Sequence, residues 1–106
     1  MKRYTKEEIS QLMNEFSLPD NSKFQGYVIH FFEADEFLES IQRIKNTVTQ
    51  RGFVKTPELA KVFRNYEKAL HQKLNYTKQD SNICLLFDTG KQFVIIQDWK
   101  YKKWAH

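Results

Sequence analysis

A single cysteine, Cys84, in 106 residues leaves no partner for an internal disulfide. Its place inside the apolar run Ile83-Cys84-Leu85-Leu86-Phe87 argues against an activated nucleophile and makes a reducing, cytoplasmic setting the expectation. Only three glycines and two prolines occur, so linker-rich and disordered architectures are disfavoured. No apolar run approaches the roughly 20 residues a membrane-spanning helix needs. The polar start Met1-Lys2-Arg3-Tyr4-Thr5 does not read as a signal peptide. His30, His71 and His106 have no cysteine partners at metal-ligand spacing, so neither a metal nor another cofactor is expected.

Aromatic residues, by contrast, are plentiful. Nine Phe, five Tyr and two Trp give a small chain enough apolar area for one core, so a single domain over 1–106 is expected. The net charge is +4, and its distribution is uneven. Residues 1–55 hold eight Lys/Arg against eight Asp/Glu, whereas residues 56–106 hold nine against five. A basic second half favours an anionic partner, either nucleic acid or an acidic protein face.

Thr5 and Glu8 form a capping box, and Ile9, Leu12, Met13 and Phe16 follow at helical spacing. A first helix over Lys6 to Phe16 is therefore predicted. Phe24 to Phe32, rich in aromatic and β-branched residues, reads as a strand. Glu33, Asp35, Glu36 and Glu39 suit the start of a second helix, with Phe37, Leu38, Ile41, Ile44 and Val48 as its stripe and Gly52 as its stop. Thr56-Pro57-Glu58 opens a third helix to about Tyr76, with Leu59, Val62, Phe63, Tyr66, Leu70 and Leu74 buried.

A hairpin closes the pattern. The runs Ile83–Phe87 and Phe93–Ile96 flank Asp88-Thr89-Gly90, which suits a three-residue loop with Gly90 left-handed. That loop would set Leu85 opposite Phe93 and Ile83 opposite Ile95, and Asp80 opposite Asp98. The last strand is expected in the centre of the sheet, beside Phe24–Phe32. The resulting fold is a single α+β domain of order α-β-α-α-β-β, with a three-stranded antiparallel sheet packed by three helices. Each strand is apolar on both faces, so helices should cover both faces or one face should meet another subunit, and a homodimer fits the second option.

The order of these elements resembles a winged helix. The resemblance implies a helix over Thr56–Tyr76 reading the major groove through Lys61, Arg64, Asn65 and Lys68, with Lys91 at the hairpin tip on phosphate. Asp80 followed by Asp98-Trp99-Lys100 resembles the PD-(D/E)xK nucleases, although Gln79 stands where that family often has Pro. The resemblance implies two carboxylates on Mg²⁺ and a lysine activating water. The run Trp99-Lys100-Tyr101-Lys102-Lys103-Trp104 mixes rings with cations, as single-strand binders do, though Trp99 reads better as a core-closing residue.

Other matches have plainer explanations. Asp88-Thr89-Gly90 copies an aspartic-protease triplet but is a good turn sequence. Gly90-Lys91-Gln92 lacks the Gly-rich loop of a nucleotide site. Asn75-Tyr76-Thr77 is a glycosylation sequon with no use in the cytosol, and His30 fits a hydrogen bond within its strand. The expectation is a small non-enzymatic binding protein that modulates or inhibits another macromolecule, in the style of phage, plasmid or immunity-type accessory proteins. Its partner-binding residues are read as Lys61, Arg64, Lys68, Lys100, Tyr101, Lys102, Lys103 and Trp104. A protein partner is favoured over nucleic acid, with Phe53 as a further aromatic anchor.

Overall fold

The computed structural model describes residues 4–44, 48–74 and 80–98; of residues 40–44 and 48–51 it describes the backbone alone. Helix α1 (Lys6–Glu15) begins as its capping box dictates: Thr5 Oγ1 accepts from the Glu8 backbone N–H at 3.1 Å, and the Thr5 N–H donates to Glu8 Oε1 at 2.8 Å. Strands β1 (Lys23–Phe31), β2 (Glu36–Ile44), β3 (Val48–Val54), β4 (Asn82–Asp88) and β5 (Phe93–Gln97) form one antiparallel sheet in the order β3-β2-β1-β4-β5. A short 3₁₀ turn at Pro57–Leu59 and helix α2 (Tyr66–Leu74) complete the domain.

The α+β class expected from the sequence holds, but among the described residues the sheet has five strands rather than three, and two α-helices rather than three pack it. The predicted second helix is the hairpin β2–β3. Phe37 and Leu38 are adjacent, and each is buried in a different hydrophobic cluster. Consecutive side chains reach opposite faces on a strand and cannot do so on one helical stripe. The predicted third helix survives only from Tyr66 onward.

Tertiary pairing explains that loss. β2 pairs with β1 only at His30↔Phe37 and Phe31↔Glu36, which leaves the rest of that β1 edge open. Residues 60–63 fill the gap. Phe63 and Tyr27 exchange both backbone hydrogen bonds at 2.7 Å, and the Lys61 N–H donates to the Leu38 carbonyl at 2.7 Å. Buried backbone groups must be paired, and this extended segment does what β2 does not. Gly26 makes the approach feasible. It lies at a bulge with φ +136°, and a Cβ there would stand 2.6 Å from Val62 Cγ1.

The sheet separates two clusters. On one face Tyr27, Ile29, Phe31, Leu38, Ile83, Leu85, Phe87 and Ile96 pack with Leu12 of α1 and with Tyr66 and Ala69 of α2. On the other, Val28, Phe37, Cys84 and Leu86 are buried with partly covered Val54, Ala60, Phe93 and Ile95. Ala60 belongs to the linking segment, so a loop, rather than a helix or a second subunit, provides part of that cover.

The β4–β5 hairpin forms as expected, but its register differs. Leu85 faces Ile96, Leu86 faces Ile95, and Asp88 faces Phe93. Asp88 thus stays in the ladder, and the loop spans Thr89 to Gln92. Asp88 Oδ1 accepts from the Gly90 N–H at 2.8 Å, while Thr89 Oγ1 donates to the Gln92 carbonyl at 3.0 Å. Gly90 is left-handed, with φ +90°, as its turn role requires. The central position expected for the last strand belongs to β1; β5 is an edge.

Candidate functional site

The linking segment from Lys55 to Asn65 holds most of the residues that the sequence marks for binding and that the structure describes. It leaves β3, forms the 3₁₀ turn, and then runs extended to α2. Extended backbone alternates side chains. Phe63 is buried on the helix side, whereas Leu59 and Val62 are 62% and 39% exposed. Lys61, Arg64 and Asn65 are also exposed. The Lys61 ammonium sits 5.5 Å from the centre of the Phe63 ring, within cation–π range.

Asn65 ends the segment by capping α2. Its Oδ1 accepts from the Glu67 N–H at 2.8 Å. Lys68 lies in the first turns of α2 and is exposed. Lys61 and Arg64 therefore precede the helix instead of lining it, which removes the recognition helix that the winged-helix resemblance implied. Its supposed helical partner is likewise the β2–β3 hairpin. Lys100, Tyr101, Lys102, Lys103 and Trp104 lie outside the described residues, as does Trp99. The sequence reading assigned Leu59 and Val62 to a buried stripe; only the loss of the helix turns them outward.

A second polar feature ties the termini of the described chain together. Tyr4 and Tyr66 each donate a hydroxyl hydrogen bond of 2.5 Å to Asp98, one to each carboxylate oxygen. The Tyr4 N–H donates to the Tyr27 hydroxyl at 3.3 Å. Asp98 continues the ladder, with its N–H donating to the Ile83 carbonyl at 2.9 Å. This register does not set Asp80 opposite Asp98. Asp80 instead lines a cleft of about 110 Å³ with Phe31, Glu33, Ala34, Glu36 and Phe53. The carboxylate pair required by the nuclease resemblance is thus not assembled, and its Lys100 lies outside the described residues.

Phe53, expected as an anchor, is 40% exposed and stacks edge-on against Phe31 at 5.3 Å. Lys55 beside it donates to the Ala34 carbonyl at 2.9 Å and lies 3.7 Å from Glu36. His30 is hydrogen-bonded, but to the turn after β1 rather than within its strand: its Nε2 lies 2.9 Å from Asp35 Oδ1, and its ring stacks on Phe37. Cys84 is buried, and burial first, then the negative charge of Asp98, pushes its thiol up to about 12. Among the described residues, no group of three His, Cys, Asp or Glu is placed to hold a metal ion, and no helix is long and apolar enough to cross a membrane.

No family model, curated protein sequence or solved structure matches this chain.

Proposed function

We propose that this chain is a small binding protein, not a catalyst, and that its basic second half docks on an acidic protein partner whose activity it modulates or inhibits. The supporting observation is the linking segment. Within six residues of sequence it exposes aliphatic Leu59 and Val62 and cationic Lys61 and Arg64. Apolar contact supplies most of the energy at a protein interface, and surrounding cations steer an acidic partner into place. Phosphate tracking needs cations but has little use for exposed aliphatic side chains. Lys100, Tyr101, Lys102, Lys103 and Trp104 extend the same basic half in sequence. A buried lone thiol suits the reducing cytoplasm.

The test is capture of partners from host lysate with the tagged protein, with and without nuclease. Retention after nuclease, with loss on Leu59→Asp or on paired Lys61→Glu and Arg64→Glu, supports an acidic protein target. Loss on nuclease treatment, with binding that falls steeply as salt rises, replaces it with a nucleic-acid target.

A further inference from the structure

We infer that β5 is a self-pairing edge, through which two copies of this chain join their sheets by antiparallel β5–β5 hydrogen bonding. The hydrogen-bond phase of the hairpin fixes which groups are available. In an antiparallel ladder, hydrogen-bonded and non-hydrogen-bonded pairs alternate. The Asp98 N–H donates to the Ile83 carbonyl, so Asp98, Ile96 and Val94 turn their backbone groups toward β4. Phe93, Ile95 and Gln97 turn theirs away. Among the described residues, no strand or backbone hydrogen bond meets them from that side.

The two edges of the sheet differ in kind. β3 carries Arg51 and Gly52 and pairs with β2 through a register shift, features that discourage edge pairing. β5 is Phe-Val-Ile-Ile-Gln, with no charge, no proline and no register shift. Its first three side chains remain partly exposed. Such an edge is a template for another strand.

Symmetry selects a second copy as the occupant. A two-fold axis through Ile95 faces Ile95 with Ile95 of the other chain and Phe93 with Gln97. All three positions have outward backbone groups, so every pairing on that side is satisfied at once. Val94 meets Ile96, which keeps apolar residues against apolar ones on the same face. An isologous contact of this type closes as a dimer and consumes the edge.

Amide hydrogen exchange and sedimentation, each followed across a protein concentration series, test the inference. The expected mass shifts toward twice that of one chain as concentration rises. Amides of Phe93, Ile95 and Gln97 exchange fast when dilute and become protected when concentrated, while Val94 and Ile96 stay protected throughout. Gln97→Pro removes one outward donor but no bond to β4, and should abolish the shift in mass with the circular dichroism spectrum unchanged. Ile95→Lys should do the same; if it fails to fold, Gln97→Pro decides the matter alone. A monomer at every concentration overturns the inference, as does a dimer that Gln97→Pro leaves intact or Ile95 and Gln97 amides whose exchange ignores concentration.

Discussion

Gly26 and Val62 lie so close that position 26 has no room for a side chain: a Cβ on Gly26 would lie 2.6 Å from Val62 Cγ1 and 2.8 Å from the Phe63 carbonyl oxygen. The contact clamps the linking segment onto β1 at a left-handed bulge. Gly26→Ala should therefore destabilise the fold by about 2–3 kcal/mol, combining overpacking with backbone strain. Urea denaturation measures it. Val62→Ala in the same chain should recover only part of the loss, because the Phe63 carbonyl and the positive φ remain.

Asp98 joins the segment before α1, the start of α2 and the end of β5 through two tyrosine hydroxyls. Tyr4→Phe and Tyr66→Phe should each cost about 1.5–3 kcal/mol, the range of a hydrogen bond to a charged acceptor. Asp98→Ala should cost more than either. A double-mutant cycle in urea, combining both tyrosine changes, should give more than the sum, because in each single variant the carboxylate strengthens its bond to the remaining donor and in the double variant it has neither.

Cys84 links burial to alkaline stability. In the unfolded chain its thiol has the ordinary value of 9.0, whereas in the fold it is pushed up to about 12. The folded state therefore holds the proton more tightly. Stability from this group is complete below pH 9 and falls as pH rises from there toward 12. Thermal melts above pH 9 should show a shallower decline for Cys84→Ala than for the parent chain. At neutral pH the native thiol should resist alkylation and react only after denaturant is added.

Leu59 separates binding from stability. It is 62% exposed, so Leu59→Ser should change stability by less than about 0.5 kcal/mol. Partner capture should nevertheless weaken. Phe63→Ala, by contrast, removes a ring buried against the core and should cost about 3–5 kcal/mol in denaturation.

What could be read from the sequence was whatever local chemistry decides. Thr5 and Glu8 announce α1 because both capping bonds form within one turn. Gly90 announces its turn because few other residues accept that backbone. The register of the hairpin escaped, since Asp88 can either turn or pair, and its bond to the Gly90 N–H lets it do both. Residues 36–54 misled because Phe37, Leu38, Ile41, Ile44 and Val48 match a helical stripe, while burial of Phe37 and Leu38 on opposite faces is a tertiary fact. The linking segment misled likewise: Thr56-Pro57-Glu58 opens only a 3₁₀ turn, and the Phe63–Tyr27 bonds overrule helix propensity. Exposure of Lys61, Arg64 and Lys68 was legible; exposure of Leu59 and Val62 depended on that distant pairing.

The pairing of β1 with β4 joins segments separated by the whole of β2, β3 and α2. Closing so long a loop carries an entropic barrier that the local hairpins do not face. The β2–β3 and β4–β5 hairpins should consequently appear early in refolding, and the rate of reaching the native state should be set by the central seam. The slot beside Tyr27 lies on the opposite edge of β1, where β1 and β2 diverge, so the stretch carrying Leu59 and Val62 takes its shape only after those two strands have met.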